Sequence, residues 1–364
     1  MTSSSKLAEF RALTIRVSLS EVGPRVPIHP AGPTTSLEKI GEMIYLAEAD
    51  ILEAASIGEM LDVIETSMDV YEKKQFHMPQ RLHIEHEGNT LLLMPCFTKD
   101  SFGTKLVTLF PGNPARDVPV LNGIMVLNDA QTGVPVALLN GPALTALRTA
   151  AVGAVSIRHL ASDDTDAVGI IGAGVQGFYQ AWFACSARPV KDIFIFDLRA
   201  DKPATMGERL SVKIPHVRVH QADRVEDLLE KTQVVITATD SLEPVLPDEE
   251  ELLVGKHFVG IGSYKPNMRE FPRALFKLLE MVFVDTEHAL QESGDLIVPL
   301  QNDWIREDQV MTLGRFLAEQ RSEDKVREGT TLFKSVGMAL FDVCVSRFIY
   351  ERAIQKDLGQ KISL

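Results

Sequence analysis

The sequence predicts an α/β fold: a Rossmann-type parallel-sheet domain joined to a strand-rich α+β domain. Three observations carry that prediction. From about residue 165, the apolar runs "AVGII", "KDIFIFDLR", "HVRVHQ", "TQVVITATD", "KHFVGIGS" and "EMVFVDT" recur, some separated by helical segments such as "RVEDLLE". Short apolar strands alternating with helices fit a parallel sheet covered on both faces. The first of these strands runs into the glycine turn "GAGVQG", which opens a helix. Upstream, "QRLHIEHEG", "NTLLLMPCF", "GTKLVTLFPGN" and "NGIMVLNDAQTGVPVALLNG" read as successive strands bounded by Pro and Gly.

The elements follow in chain order. Residues 1–40 are rich in Pro and Gly, as in "SEVGPRVPIHPAGPTT", and are expected to be a tail or an arm lying across a partner subunit. "MIYLAEADILEAA" gives an apolar run and a helix start, with Asp50 as cap and Glu53 three residues later. The helix is expected to continue through "IGEMLDVIETSMDVYEKKQ", with an interruption near Ser56 to Gly58. The strands come next, the last two joined by a turn at Asp129 to Gly133. "ALTALRTAAVGAVS" is then a helix holding a single charge, Arg148. From about residue 310 the chain is expected to be helical again. "TLFKSVGMALFDVCVSRFIYERAIQKD" would pack back on the first domain. The expected organisation is an arm or tail at 1–40, a strand-rich domain at 41–160 and 315–364, and a Rossmann domain at 161–314.

Bulk properties narrow the function. The 364 residues are 45% hydrophobic and carry a formal net charge of -13. An acidic chain of this kind argues against a nucleic-acid partner and leaves small acidic ligands open. Cys96, Cys185 and Cys344 have no zinc or CxxC spacing, so no metal is expected and a reducing, cytoplasmic setting is. No apolar run reaches membrane-spanning length, and no signal-peptide plan stands at the start. His83 and His86 fall on opposite faces of a strand, which argues against joint metal ligation.

The glycine turn points to a dinucleotide. Gly172 permits the tight turn, Gly174 lets a pyrophosphate approach the backbone, and Gly177 lets helix and strand pack closely. Val175 and Gln176 lie at the helix start, whose N–H groups would hold the phosphates. Asp197 ends the next strand, near the ~20-residue separation of a ribose-binding acid. An acid there favours NAD over NADP, although Arg199 could reach a 2'-phosphate. Thr237 and Thr239 would stand at the carboxyl edge of the sheet, as cofactor contacts or as an ordinary polar turn.

Charges in apolar settings mark a second site. Arg148 must either pair with a buried carboxylate or face a pocket holding an anion, because a buried unpaired charge is very costly. Lys105 in "GTKLVTLF" poses the same question, with an outward, solvated orientation as the alternative. Arg81 at a strand start is a weaker signal.

Taken in order, "GTKLVTLFPGNP", "LNGPALTALRTAAVGAVS", "VGIIGAGVQG", "HFVGIGSYKPNMRE" and "GTTLFKSVGMALFD" resemble the ornithine cyclodeaminase and mu-crystallin family over about residues 42–350. The resemblance implies a two-domain homodimer that binds a nicotinamide cofactor, with dimer contacts through the strand-rich domain. It implies hydride exchange with the α-carbon of a small imino or amino acid, as in ketimine reductases and amino-acid dehydrogenases. It also implies that Lys105, Arg148 and Arg81 face the substrate. Arg148, alone or with Arg81, would hold a carboxylate, and Lys105 would exchange the imine proton. Where cyclodeaminases and alanine dehydrogenases of the family carry an aspartate, this chain has Tyr264, followed by Lys265. That departure argues against ornithine or lysine cyclodeamination and sets Tyr264 beside the substrate. Ornithine or lysine cyclodeaminase stays as one alternative, and a non-enzymatic nucleotide and small-ligand binder as the other.

Overall fold

The computed structural model describes residues 42–319 and 326–363; the expected N-terminal arm or tail lies outside the described residues. Two eight-stranded sheets organise the rest. The chain opens with β1 (Glu42–Leu46), α1 (Glu48–Ala54) and α2 (Ile57–Glu72). It continues through β2 (Phe76–His77), β3 (Leu82–His86), β4 (Asn89–Thr98), β5 (Ser101–Leu109), β6 (Leu121–Asp129) and β7 (Pro135–Asn140) to α3 (Gly141–Leu160). A parallel run follows: β8 (Ala167–Ile171), α4 (Val175–Ala187), β9 (Asp192–Phe196), α5 (Asp201–Lys213), β10 (Arg218–Gln221), α6 (Val225–Leu229), β11 (Val234–Thr237), α7 (Glu250–Leu253) and β12 (His257–Gly260). The chain then passes α8 (Arg273–Lys277), β13 (Leu279–Val284), α9 (Ala289–Glu292), α10 (Gly294–Gln301), β14 (Val310–Thr312) and α11 (Leu313–Ala318). It ends with β15 (Thr330–Lys334), α12 (Ala339–Lys356) and β16 (Gln360–Ser363).

The first sheet has the order β16-β1-β7-β6-β5-β4-β2, with β3 also paired to β4. Its hairpins are antiparallel, and β1 joins β7 in parallel. The second sheet, β10-β9-β8-β11-β12-β15-β13-β14, is parallel throughout, the doubly wound arrangement the alternating strands predict.

Helix α3 links the sheets. Asn140 caps it by accepting from the Ala143 N–H at 2.9 Å, and Pro142 fits the first turn. Its small side chains allow a close approach to α4. A Cβ on Gly153 would lie 2.1 Å from Gln180 Oε1, and Gln180 Nε2 donates to the Thr149 carbonyl at 3.0 Å. The apolar core runs continuously from the first sheet across α3 and α4 to one face of the second. A separate cluster around Phe258, Phe271 and Leu332 covers the opposite face.

Three expectations need correction. Asp50 is not the cap of the first helix. Ala47 holds that place, and the Asp50 carboxylate accepts from its N–H at 2.9 Å. The capping box stands one helix later, where Ser56 and Glu59 satisfy each other's backbone N–H groups. The boundary at 315 also fails. "TTLFK" is not helical but forms β15 between β12 and β13, fully buried in the parallel sheet. Its apolar residues merge in sequence with those of α12, which conceals the strand. The return to the first sheet begins only with α12, after Gly337.

Candidate active site

The inner face of β5 carries Ser101, Gly103, Lys105 and Val107 in strict alternation, so Lys105 points into the core and is 2% exposed. Arg148 reaches the same place from α3, and Asp342 reaches it from the first turn of α12. Asp342 Oδ2 lies 2.7 Å from Lys105 Nζ, and Asp342 Oδ1 accepts from Arg148 Nε at 3.0 Å. The helix N-terminus further favours the anion. Burial pushes the Asp342 carboxyl up, but Arg148 and Lys105 outweigh it and hold it below its ordinary range. Burial pulls Lys105 down to about 8, with Asp342 opposing and Arg148 assisting.

Both possibilities open for Arg148 are thus realised by different parts of one side chain. Its Nε is spent on a buried carboxylate. Among the described residues, its Nη1 and Nη2 have no hydrogen-bond acceptor. Gly337, at φ +75°, lies against them: a Cβ there would be 2.5 Å from Nη1. Asp285 fixes this loop, accepting from Ser335 Oγ at 2.7 Å, Gly337 N at 2.7 Å and Val336 N at 3.1 Å. The Gly337 carbonyl in turn accepts from Arg81 Nη2 at 3.2 Å, and Arg81 Nη2 also pairs with Glu292. A small cleft opens here, lined by Met78, Arg81, Met94, His288, Glu292 and Gly337. Gly337 ties this cleft to the Arg148 guanidinium, and Lys105 and Arg148 share the one Asp342 carboxylate, which leaves the end of Arg148 suited to a carboxylate ligand.

The glycine turn follows β8 as expected. Gly172 takes φ +102°, and a Cβ there would meet the Ala238 carbonyl at 2.6 Å. A Cβ on Gly177 would lie 2.0 Å from the Gly172 carbonyl, whereas the space around Gly174 is open. Val175 starts α4 at 61% exposure, and the Gln176 Oε1 is buried without a partner among the described residues. Asp197 Oδ2 accepts from Ala173 N at 2.8 Å and Oδ1 from Arg199 N at 2.9 Å, which fixes the acid beside the turn. The Arg199 side chain is exposed, 3.5 Å from Asp201. An open Gly174, a helix N-terminus and an oriented acid fit a dinucleotide.

Thr237 and Thr239 part company. Thr237 is completely buried at the end of β11, so it has no face to offer a cofactor. The Thr239 hydroxyl donates to Glu270 Oε1 at 2.8 Å. Glu270 also accepts from Thr239 N, Gly262 N and Ser263 N, clamping the loops after β11 and β12 together. Tyr264 stands on the second of these loops, 40% exposed, with Lys265 Nζ 5.8 Å from its ring centre. Burial and Asp240 raise its phenol above the ordinary range.

Lys105 and Arg148, singled out from the sequence, therefore meet, and Arg81 joins them through Gly337. Sequence reasoning missed Asp342, the carboxylate that holds the pair. The signal was available, since Asp342 stands in "GMALFDVCV" as isolated among apolar residues as Arg148 is in its own helix. Glu292, His288 and Glu270 carry no such local signal and are brought in by the fold.

The comparisons agree with this architecture. A profile of the ornithine cyclodeaminase/mu-crystallin family matches residues 42–357. A Delta(1)-pyrroline-2-carboxylate reductase from Bacillus thuringiensis subsp. konkukian is 32% identical over 288 residues, covering 77% of this chain and 87% of that protein. The solved Delta(1)-pyrroline-2-carboxylate reductase of Thermococcus litoralis, in complex with NADH and L-proline, superposes with a TM-score of 0.82 at 29% identity, covering 88% of this chain and all of that one. An archaeal alanine dehydrogenase dimer with bound NAD gives 0.80 at 26% identity, covering 89% and 99%. The chain belongs to the ornithine cyclodeaminase/mu-crystallin family.

Proposed function

We propose that this protein is an NAD(P)-dependent oxidoreductase that exchanges hydride with the α-carbon of a small imino or amino acid. The carrying observation is the buried Lys105–Asp342–Arg148 cluster, with the end of Arg148 free to grip a carboxylate. The NADH and NAD complexes of the related reductase and dehydrogenase support the cofactor, and the archaeal dimer supports a homodimer.

When bound, the nicotinamide supplies or accepts the hydride. The protein's own residues do the rest. Arg148 holds the substrate carboxylate by its paired Nη groups, which fixes the α-carbon in place. Arg81 borders the same cleft. Lys105 gives a proton to the imine nitrogen during reduction and takes one from the amine in reverse. Its lowered pKa of about 8 leaves both protonation states accessible near neutrality. Asp342 keeps Lys105 and Arg148 in register. Tyr264, a phenol raised above its ordinary range, cannot serve as an ionised carboxylate would, which favours reduction over cyclodeamination.

Purified protein should oxidise NADH in step with conversion of Delta(1)-pyrroline-2-carboxylate, or of pyruvate with methylamine, to the amino acid. Tight NADH binding with no turnover across a broad imine and amino-acid panel would refute the reading. Proline formed from ornithine without net NADH consumption would replace it with cyclodeamination.

A further inference from the structure

Four strand ends stand level along one edge of the parallel sheet. Ile171 of β8 pairs with Thr237 of β11, Thr237 with Gly260 of β12, and Gly260 with Lys334 of β15. The glycine turn leaves the first of these ends, and the loop carrying Gly337 leaves the last. Asp197 lies beyond the glycine turn on the opposite side, just past the end of β9. The loops after β11 and β12 therefore lie on the side of the glycine turn away from Asp197, where this class of sheet binds its ligands.

One carboxylate joins those two loops. Glu270 is completely buried, and both of its oxygens are spent on them. Oε1 accepts from Thr239 N and Thr239 Oγ1, each at 2.8 Å, and Oε2 accepts from Gly262 N at 2.8 Å and Ser263 N at 3.2 Å. The loops also touch backbone to backbone, because a Cβ on Gly262 would overlap the Thr239 carbonyl. The first loop lies in turn on the glycine turn, where a Cβ on Gly172 would meet Thr239 Cγ2 at 3.1 Å. Glu270 is itself held from behind. Its N–H donates to Asp295 Oδ1 at 2.7 Å, and Lys334 Nζ stands 4.0 Å from Oε2.

We propose that Glu270 is a positioning residue for the nicotinamide half of the cofactor. It sets the spacing of the loops after β11 and β12, and so the edge along which the ring is presented to the substrate. The adenosine half, at the glycine turn and Asp197, does not depend on it. The inference rests on the nicotinamide-cofactor reading. In Glu270→Gln an amide replaces one oxygen, so two donors on one loop face a donor and that loop loses its tether.

The test compares NADH with ADP-ribose, which lacks only the nicotinamide ring, by calorimetry on the full-length protein. Glu270→Gln should raise the NADH Kd about tenfold or more and leave the ADP-ribose Kd within about twofold, since charge-assisted bonds are lost on one side only. Thr239→Val removes one of the four donors and should give the same split more weakly, about two- to fivefold. If Glu270→Gln does not fold, Thr239→Val decides. Equal weakening of both ligands, or NADH affinity unchanged in the folded variants, overturns the assignment, because a merely structural carboxylate would not separate the two halves. A wild-type protein that binds no NADH overturns the cofactor reading itself, so the two failures are distinct.

Discussion

Two buried lysines in this molecule stand among carboxylates, and they do opposite things. Lys105 shares Asp342 with Arg148, giving two cations to one anion. Lys334 lies 3.5 Å from Asp295 and 4.0 Å from Glu270, giving one cation to two anions, all three completely buried. In the second cluster the surplus negative charge is answered by the backbone. Glu270 accepts from three amides and a hydroxyl, and Asp295 Oδ1 accepts from Glu270 N and Phe271 N. Burial pushes Asp295 up to about 6, with Lys334 opposing and Glu270 adding to the rise. In the first cluster the surplus is positive, and the guanidinium end has no acceptor among the described residues. Burial of charge does not by itself mark a working site. Unspent hydrogen-bonding capacity at an opening does.

That distinction predicts different failures. Lys105→Met should lower kcat/KM for imine reduction about 10²- to 10⁴-fold, the usual contribution of a positioned acid–base group. NADH affinity should stay near wild type in a fluorescence titration, because Lys105 lies on the first sheet, away from the glycine turn. A variant with near wild-type turnover would make the lysine structural and collapse the contrast.

Lys334→Met should act on stability instead. It strands Asp295 and Glu270 in a dry interior and should cost about 3–5 kcal/mol in chemical denaturation. The folded fraction should keep kcat within a few-fold of wild type. A well-folded Lys334→Met protein that has lost turnover would place this second lysine in the chemistry and break the comparison from the other side.

The two clusters also differ in how far the sequence reveals them. Lys105 and Arg148 stand out because each is a lone charge in an apolar element, although the spacing leaves the face of Lys105 open and only the fold turns it inward. The glycine turn is equally legible, since a strand, three glycines and a helix leave little choice. Asp342 is distant in sequence from both partners, and only the packing of α12 against α3 and β5 brings them together. Lys334 is hidden more deeply. It belongs to β15, whose apolar run merges with that of α12, so the strand itself is missed and its partners with it. Thr237 looked accessible because it ends a strand at the carboxyl edge, but the neighbouring strands bury it.

A finer test keeps the charge and changes the shape. Arg148→Lys retains a cation beside Asp342 and loses the paired Nη groups. Losing a charge-assisted, two-pronged contact of roughly 1.5–3 kcal/mol should raise KM for the imino acid about 10- to 100-fold. Denaturation midpoint and NADH affinity should move little. Equal loss of substrate and cofactor binding would show that Arg148 supports the architecture rather than the ligand.

The smallest expected effect is the position of a pH limb, and it separates the clusters by charge alone. Reduction needs Lys105 protonated, so kcat/KM should fall as pH rises through about 8, approaching tenfold per unit above it. The reverse oxidation needs the neutral amine and should rise over the same range. Asp342 favours the charged lysine, so Asp342→Asn should move the limb to lower pH in whatever activity survives. Glu270→Gln alters an equally buried carboxylate that faces Lys334 instead, and it should leave the limb in place even if the rate falls. A limb that followed Glu270 rather than Asp342 would mean that the proton-handling lysine is the one in the parallel sheet.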